Sequence, residues 1–300
     1  MKRGFKKKTI NKIVKSKTDN WLKSIDNEEL RNELRLNLIC TGGAIASMLM
    51  GEEANDYDFY IRDRAVCRKL VEYYISTLPD NVKPDMTNVS ITDTDLGIET
   101  KIRSAGIVSD GENQKNYEYF EMSDPTGERA EEYLDAIFKN NEKKTPYSVA
   151  MITSNAISLT KDVQIITRFC GGPEVIHENF DFLHAMNYWT YADGVVLRQD
   201  ALECILSKEL KYIGSRYPIC SIFRIKKFVQ RGWSITAGEM FKIAWDISKL
   251  DLNDYDVLRD QLTGVDTAYF HEVISIIEKE KDDSKELDRT YLFDLINRIF

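Results

Sequence analysis

Several residue types that support common kinds of protein chemistry are scarce in this chain of 300 residues. It has five cysteines with no Cys-x-x-Cys pair, and its only histidines are His177, His184 and His271. Cysteines that are scattered and odd in number argue against a disulfide framework and against a cysteine-based zinc site. With so few histidines, an imidazole-based metal site is also disfavoured.

Long apolar runs are missing as well. No stretch reaches the roughly 18–20 uncharged apolar residues that span a bilayer, and the Lys-rich residues 1–17 contain no secretory-type apolar run. Hydrophobic residues make up 43% of the chain, a proportion typical of globular proteins and not of disordered or fibrous ones. We therefore expect a cytoplasmic protein with no membrane partner and a length that suits two modest domains.

Charge is unevenly distributed along the chain. The net charge is −8, yet residues 207–231 carry seven basic residues against a single acidic one. Aromatic residues are interleaved with these cations, as in surfaces where nucleic-acid bases stack and phosphates pair. The same pattern also fits an amphipathic helix whose aromatic side chains face a core and whose lysines are solvated. Both interpretations stay open at this point.

The spacing of apolar residues predicts a mixed α/β part followed by a helical part. Strands are expected at 36–41, 56–61, 156–159, 163–169 and 181–189, and helices at about 20–37, 44–50 and 64–77 and directly after Gly172. Asp26 is a candidate helix cap. Residues 84–145 are treated as an insertion with a helix at 128–140. We expect an α/β (α+β) fold, with a mixed sheet flanked by helices in a domain at 1–197 and a mainly helical domain at 198–300.

Two features that suit phosphate chemistry follow one another in the sequence. Gly42 and Gly43 form a tight turn between a predicted strand and a helix, and Ser47 follows one helical turn later. A helix that begins in this way exposes N–H groups to which a polyphosphate can bind. On the next predicted strand, Asp56 and Asp58 point to the same side. Two carboxylates so close repel each other, and a divalent cation such as Mg²⁺ would neutralise them.

Gly-Gly followed by Ser, then Asp-x-Asp on the next strand, resembles the polymerase-beta-like nucleotidyltransferase superfamily, which includes poly(A) polymerases, CCA-adding enzymes and antibiotic adenylyltransferases. The succession NAISL, VQIITRF, PEVIHENFDF and YPICSIFRIKKFVQRGW also resembles members encoded by phages and large DNA viruses, over about residues 39–233. This resemblance implies a nucleotidyltransferase-type sheet and two-metal transfer from an NTP with Mg²⁺ or Mn²⁺. If the gene is phage-borne, the compartment is the host cytoplasm.

In that superfamily a third carboxylate on a later strand completes the metal site. The match here is Asp181, with Asp162 as a competitor that is less favoured because it precedes its strand in a turn. The resemblance thus implies that the catalytic and metal-binding residues are Asp56, Asp58 and Asp181, with the triphosphate bound at Gly42, Gly43 and Ser47. Arg224 or Lys227 could hold the triphosphate tail. Arg168 either faces the nucleotide or pairs with an acid.

The function expected from these residues is transfer of a nucleoside monophosphate to an acceptor hydroxyl, with an RNA 3′ end as the first choice of acceptor. A protein side chain or a small molecule is the alternative acceptor within the same class. An alternative from another class is a catalytically silent module in which the basic stretch binds nucleic acid or a host protein. That module would need neither NTP nor metal.

Overall fold

The structure, a computed structural model, describes residues 3–78, 89–102, 146–263 and 289–299. Most of the predicted insertion, including the helix expected at 128–140, lies outside these residues. The chain divides into two compact units. The described part of the first unit comprises residues 3–78, 89–102, 146–178 and 184–207. The described part of the second comprises residues 179–183, 208–263 and 289–299.

The first unit contains six helices and nine strands among its described residues. The helices are α1 (Lys7–Lys23), α2 (Glu28–Asn37), α3 (Gly43–Met50), α4 (Arg64–Ser76), α5 (Pro173–His177) and α6 (Gln199–Ser207). The strands are β1 (Leu38–Thr41), β2 (Tyr57–Ile61), β3 (Val89–Asp93), β4 (Ile98–Ile102), β5 (Val149–Ile152), β6 (Ala156–Leu159), β7 (Val163–Cys170), β8 (Tyr188–Thr190) and β9 (Gly194–Val196).

Seven of these strands form one mixed sheet in the order β5-β6-β7-β2-β1-β8-β9. The β2–β7 pair is parallel and the other pairs are antiparallel. Strands β3 and β4 form a separate antiparallel hairpin. The predicted mixed α/β fold, with a mixed sheet flanked by helices, is confirmed.

The main core lies on one face of this sheet. Cys40 and Phe59, paired across β1 and β2, belong to a buried cluster that includes residues of α1, α2, α3 and α4. Trp21 is fully buried in it, with its ring centroid 4.9 Å from that of Phe59. Its indole Nε1–H donates a 2.7 Å hydrogen bond to the hydroxyl of Tyr74, so this large side chain has its polar group satisfied inside the core. The face that carries Asp58 is the opposite one, because side chains alternate along a strand.

Two predicted elements differ from the structure. The helix expected at about 20–37 is interrupted, and α2 begins after Asn27, whose side chain accepts the N–H of Leu30. Asn27 and not Asp26 is therefore the cap. The strand expected at 181–189 is limited to β8, because the carbonyl of Asp181 accepts the N–H of Ile213. This hydrogen bond ties the residue into the second unit and not into the sheet.

The second unit is mainly helical in its described residues. It contains the helices α7 (Pro218–Gln230), α8 (Ala237–Ile247), α9 (Tyr255–Thr263) and α10 (Arg289–Ile299), and a short parallel pair of β10 (Glu209–Leu210) and β11 (Ser234–Ile235). Across the ranges that the structure describes, every helix is too short or too polar to cross a bilayer.

Candidate functional site

The turn between β1 and α3 has a backbone conformation that only glycine adopts readily. Gly42 has φ +106° and ψ −153°, and α3 begins at Gly43. A Cβ atom at Gly42 would lie 3.0 Å from Oδ2 of Asp58, whereas a Cβ atom at Gly43 would have no neighbour within 4 Å. The absence of a side chain at Gly42 therefore lets the backbone of the turn lie close to the Asp58 carboxylate.

The two predicted carboxylates lie at the start of β2. Asp58 is half-buried as the second residue of the strand, and Asp56 is exposed immediately before it. Burial raises the pKa of the Cys40 thiol well above its usual value, and the negative charge of Asp58 raises it further. The charge of Asp58 is thus close to the end of β1, where the glycine turn begins.

Asp58 belongs to a row of polar side chains that crosses the sheet at one level. Its register partner on β7 is Gln164, and the partner of Gln164 on β6 is Ser158. Thr41 follows Cys40, the partner of Phe59, and therefore lies beside Asp58 on β1. Residues directly opposite in a sheet present their side chains to the same face. We call Ser158, Gln164, Asp58 and Thr41 the polar row.

Gln164 and Ser158 could not be recognised as site residues from the sequence. Each is a polar residue in a mainly apolar strand, VQIITRFC for Gln164 and AISL for Ser158, where such a residue is unremarkable. Their position depends on the parallel pairing of β2 with β7, two strands that are separated by about 100 residues. Only strand register could have identified them.

The buried His177 is hydrogen-bonded to Thr41, the residue directly before the glycine turn. The Nε2 atom of His177 lies 2.9 Å from Oγ1 of Thr41, which is also 3.1 Å from the carbonyl of Asn187. Since a carbonyl only accepts, the threonine hydroxyl donates to Asn187 and His177 donates its Nε2–H to the hydroxyl. Burial lowers the pKa of His177 to about 4, and the nearby Arg198 charge contributes, so the ring is neutral at pH 7.

The backbone of the turn is held as well. The N–H of Gly42 donates to the carbonyl of Ala185 at 3.1 Å. Because the first N–H groups of a helix have no partner within the helix, the groups that α3 offers to a ligand begin at Gly43. Ser47, one turn later, is buried.

The remaining predicted site residues lie on other elements of the two units. Arg168 follows Gln164 by four positions on β7, which is about 13 Å along the strand. In the second unit, Asp181 Oδ2 and Arg224 Nη1 form an ion pair at 2.7 Å. Lys227 is exposed one turn after Arg224 on α7. The competitor Asp162 is exposed in a left-handed turn with φ +58°, 3.3 Å from the ammonium of Lys17.

Among the residues described by the structure, no three His, Cys, Asp or Glu side chains form a group able to bind a metal ion. Asp56 and Asp58 are the pair on which any metal site at the glycine turn depends.

The aromatic residues of the basic stretch face inward. Tyr212, Tyr217 and Trp233 are buried, and Phe228 packs edge to face against both Trp233 and Phe182. Lys226, by contrast, is exposed. The structure thus favours the amphipathic interpretation of this stretch, in which the aromatics form the core of the second unit and do not stack on bases.

Solved structures with a similar fold include CCA-adding enzymes. A Thermotoga maritima CCA-adding enzyme in complex with tRNA is 12% identical, with a TM-score of 0.39, over 93% of this chain and 65% of that chain. A tRNA-processing enzyme with CTP is 11% identical, with a TM-score of 0.36, over 87% of this chain and 57% of that chain. Likeness this distant says nothing by itself about activity.

The sequence comparisons are more specific. A protein of Bacillus phage SPbetaL7 named Gabija anti-defense 2 is 27% identical over 122 residues, which are 40% of this chain and 30% of that protein. The match thus spans less than a third of the relative's length. The family model described as Gabija anti-defense 2 family protein matches residues 12–208, more than half of the 300 residues. The chain therefore belongs to the Gabija anti-defense 2 family.

Proposed function

We propose that this chain transfers a nucleoside monophosphate from an NTP to an acceptor hydroxyl, foremost at an RNA 3′ end, and releases pyrophosphate. The observation that carries this proposal is the contact between the glycine turn and a carboxylate, where the absence of a side chain at Gly42 lets the backbone lie close to Asp58. A phosphate-binding helix terminus and a cation-binding group are thereby adjacent.

The donor set of the site fits a divalent cation. Asp56 and Asp58 offer only oxygen atoms, which Mg²⁺ and Mn²⁺ prefer, and the glycine at 42 lets the backbone of the turn approach one of them closely. These two residues would hold the cation, which when bound neutralises the phosphate charge. Asp181 remains the proposed third carboxylate, although its ion pair with Arg224 is a competing structural role.

The chain itself contributes binding and orientation. The N–H groups of α3 from Gly43 onward receive the outer phosphates, with Ser47 as a further donor, and the glycine at 42 lets a phosphate approach the backbone. Arg224 or Lys227 would hold the triphosphate tail, and Arg168 would face the nucleotide. In the reaction the acceptor hydroxyl releases its proton to solvent and its oxygen forms a bond to the α-phosphorus. The bond between the α-phosphorus and the oxygen that bridges to the β-phosphate breaks, and pyrophosphate leaves with that oxygen. Positioning dominates the catalysis of such transfers.

The family name supports a role for the proposed reaction in a conflict between phage and host. A relative from a Bacillus phage is named for acting against a defence called Gabija. We propose that this chain has the same role and that nucleotidyl transfer to an RNA, a host protein or a small molecule accomplishes it. A silent binding module is the second candidate, because the described residues contain no group of three His, Cys, Asp or Glu side chains that could hold a metal ion.

The test combines labelling with substitution of the carboxylates. Purified protein is incubated with each α-³²P-labelled NTP, Mg²⁺ or Mn²⁺ and a host lysate, which is then separated into RNA, protein and metabolites. We expect label in one fraction, lost in Asp56→Asn and Asp58→Asn. Asp26→Asn, which neutralises an exposed carboxylate elsewhere in the first unit, should retain it. Label that survives both substitutions at the turn would refute the proposal.

A phage assay separates the two candidates. Phage that carry the wild-type gene or the Asp56→Asn, Asp58→Asn double variant are plated on a host with the Gabija defence. Transfer activity predicts that the double variant loses protection of the phage. A silent module predicts equal plating of both phages.

A further inference from the structure

Two side chains of the polar row have no role in the nucleotide-binding half of the site. Gln164 and Ser158 are half-buried, and within the described part of the chain neither side chain forms a hydrogen bond. One level farther along the same face, Tyr60, Ile166 and Ala156 are buried. Thr41, at the β1 end of the polar row, is buried, whereas Ser158, Gln164 and Asp58 are partly accessible. The row therefore presents an amide and a hydroxyl beside the Asp58 carboxylate.

The strand order places these two residues on one particular side of the carboxylate. The glycine turn follows β1, which neighbours β2 on one side, whereas Gln164 on β7 and Ser158 on β6 lie on the other side. With the outer phosphates at the turn, the leaving pyrophosphate is on the β1 side of Asp58. In an in-line displacement the entering oxygen arrives opposite the leaving group. The acceptor hydroxyl must then approach over β7 and β6.

The side-chain chemistry of Gln164 and Ser158 defines which ligand groups they can bind. An amide and a hydroxyl are neutral, and each both donates and accepts hydrogen bonds. From Asp58 to Ser158 the row crosses two interstrand distances, together about 10 Å, which is enough for a sugar ring and its substituents. Vicinal hydroxyls match such groups, whereas a phosphate would require cations and an apolar group would leave the amide unsatisfied.

We propose that Gln164 and Ser158 are positioning residues that bind the terminal ribose of the acceptor through its 2′ and 3′ hydroxyls. This inference rests on the proposed function and extends it to the acceptor side of the same site. It requires no further chemical step, because the two side chains orient the sugar and neither bonds to the reacting phosphorus.

The experiment measures KM for both substrates. Transfer from a labelled NTP is followed with an oligoribonucleotide acceptor and with the same oligonucleotide ending in a 2′-deoxynucleotide that keeps its 3′ hydroxyl. We expect Gln164→Leu and Ser158→Ala to raise KM for the ribose-ended acceptor by roughly tenfold, as for the loss of one or two neutral hydrogen bonds. KM for the NTP should stay within about twofold of wild type, and the preference for the ribose end should fall.

Controls separate this role from a structural one. Gln199→Leu removes an exposed amide on α6 in the same unit and should leave both KM values unchanged. Gln164→Glu keeps the size of the side chain and its acceptor oxygen, so it should fold if Gln164→Leu does not. It should still weaken binding of the acceptor substrate, because the N–H donor is lost. An unchanged acceptor KM, or equal increases for NTP and acceptor, would overturn the inference. A wild-type protein without metal-dependent NTP turnover would instead refute the proposed function, and the inference with it.

Discussion

The two adjacent glycines of the turn should respond in opposite ways to the same substitution. Gly42 lies at φ +106° and ψ −153°, where an alanine is strained by about 1–3 kcal/mol. Its new Cβ would also lie 3.0 Å from Asp58 Oδ2, closer than ordinary van der Waals contact, so the carboxylate must shift. We expect Gly42→Ala to lower the free energy of unfolding by about 2–3 kcal/mol.

Gly43→Ala is the matched comparison. Gly43 is the first residue of α3, and a Cβ atom there would meet nothing within 4 Å. Alanine restricts the unfolded chain more than glycine does and suits a helix better, so this variant should gain up to about 1 kcal/mol. The two alanine variants should therefore differ by about 2–4 kcal/mol in free energy of unfolding.

Urea unfolding followed by far-UV circular dichroism measures this difference. The double variant Gly42→Ala, Asp58→Ala tests the cause, because removal of the carboxylate relieves the close contact but not the backbone strain. It should be more stable than the sum of the single substitutions implies. Equal unfolding midpoints for Gly42→Ala and Gly43→Ala, or a greater loss at Gly43, would refute this account of the turn.

Two further substitutions test the surroundings of the site. Burial, with the Arg198 charge, lowers the pKa of His177 from 6.5 to about 4. Below pH 6.5 the unfolded chain therefore binds a proton that the folded chain refuses, and the unfolding free energy should fall by up to about 3 kcal/mol from pH 7 to pH 4. His177→Gln should flatten that part of the pH profile, and an unaltered profile would contradict the assignment. Arg224→Met leaves the largely buried Asp181 without its cation and should cost about 2 kcal/mol, which Asp181→Asn in the same chain should partly restore. If the losses of stability from Arg224→Met and Asp181→Asn were strictly additive in thermal or urea unfolding, the interaction between these two side chains would not contribute to stability.

Much of the first unit could be predicted because its signals are local. The mainly apolar residues 36–41 are followed by Gly-Gly and then by AIASMLM, a succession that predicts a strand, a turn and a helix. The structure has them at β1, Gly42 and α3. The alternation in DYDFYI likewise predicts β2. The strand predicted at 181–189 was wrong because of distant partners, since Asp181 is held by Ile213 and by Arg224 and does not continue a strand of the sheet. The helix break at Asn27, by contrast, is local, because this side chain accepts the N–H of Leu30.

The sequence by itself determined most elements of the first unit and the succession of a glycine turn and an Asp-x-Asp pair, because periodicity, glycine and carboxylate spacing act over a few residues. Only the tertiary structure decided which side chains lie beside them. The parallel pairing of β2 with β7 brings Gln164 beside Asp58, and the packing of α5 places a neutral His177 beneath Thr41. Such contacts join residues about 100 or more positions apart, and no local pattern encodes a strand register.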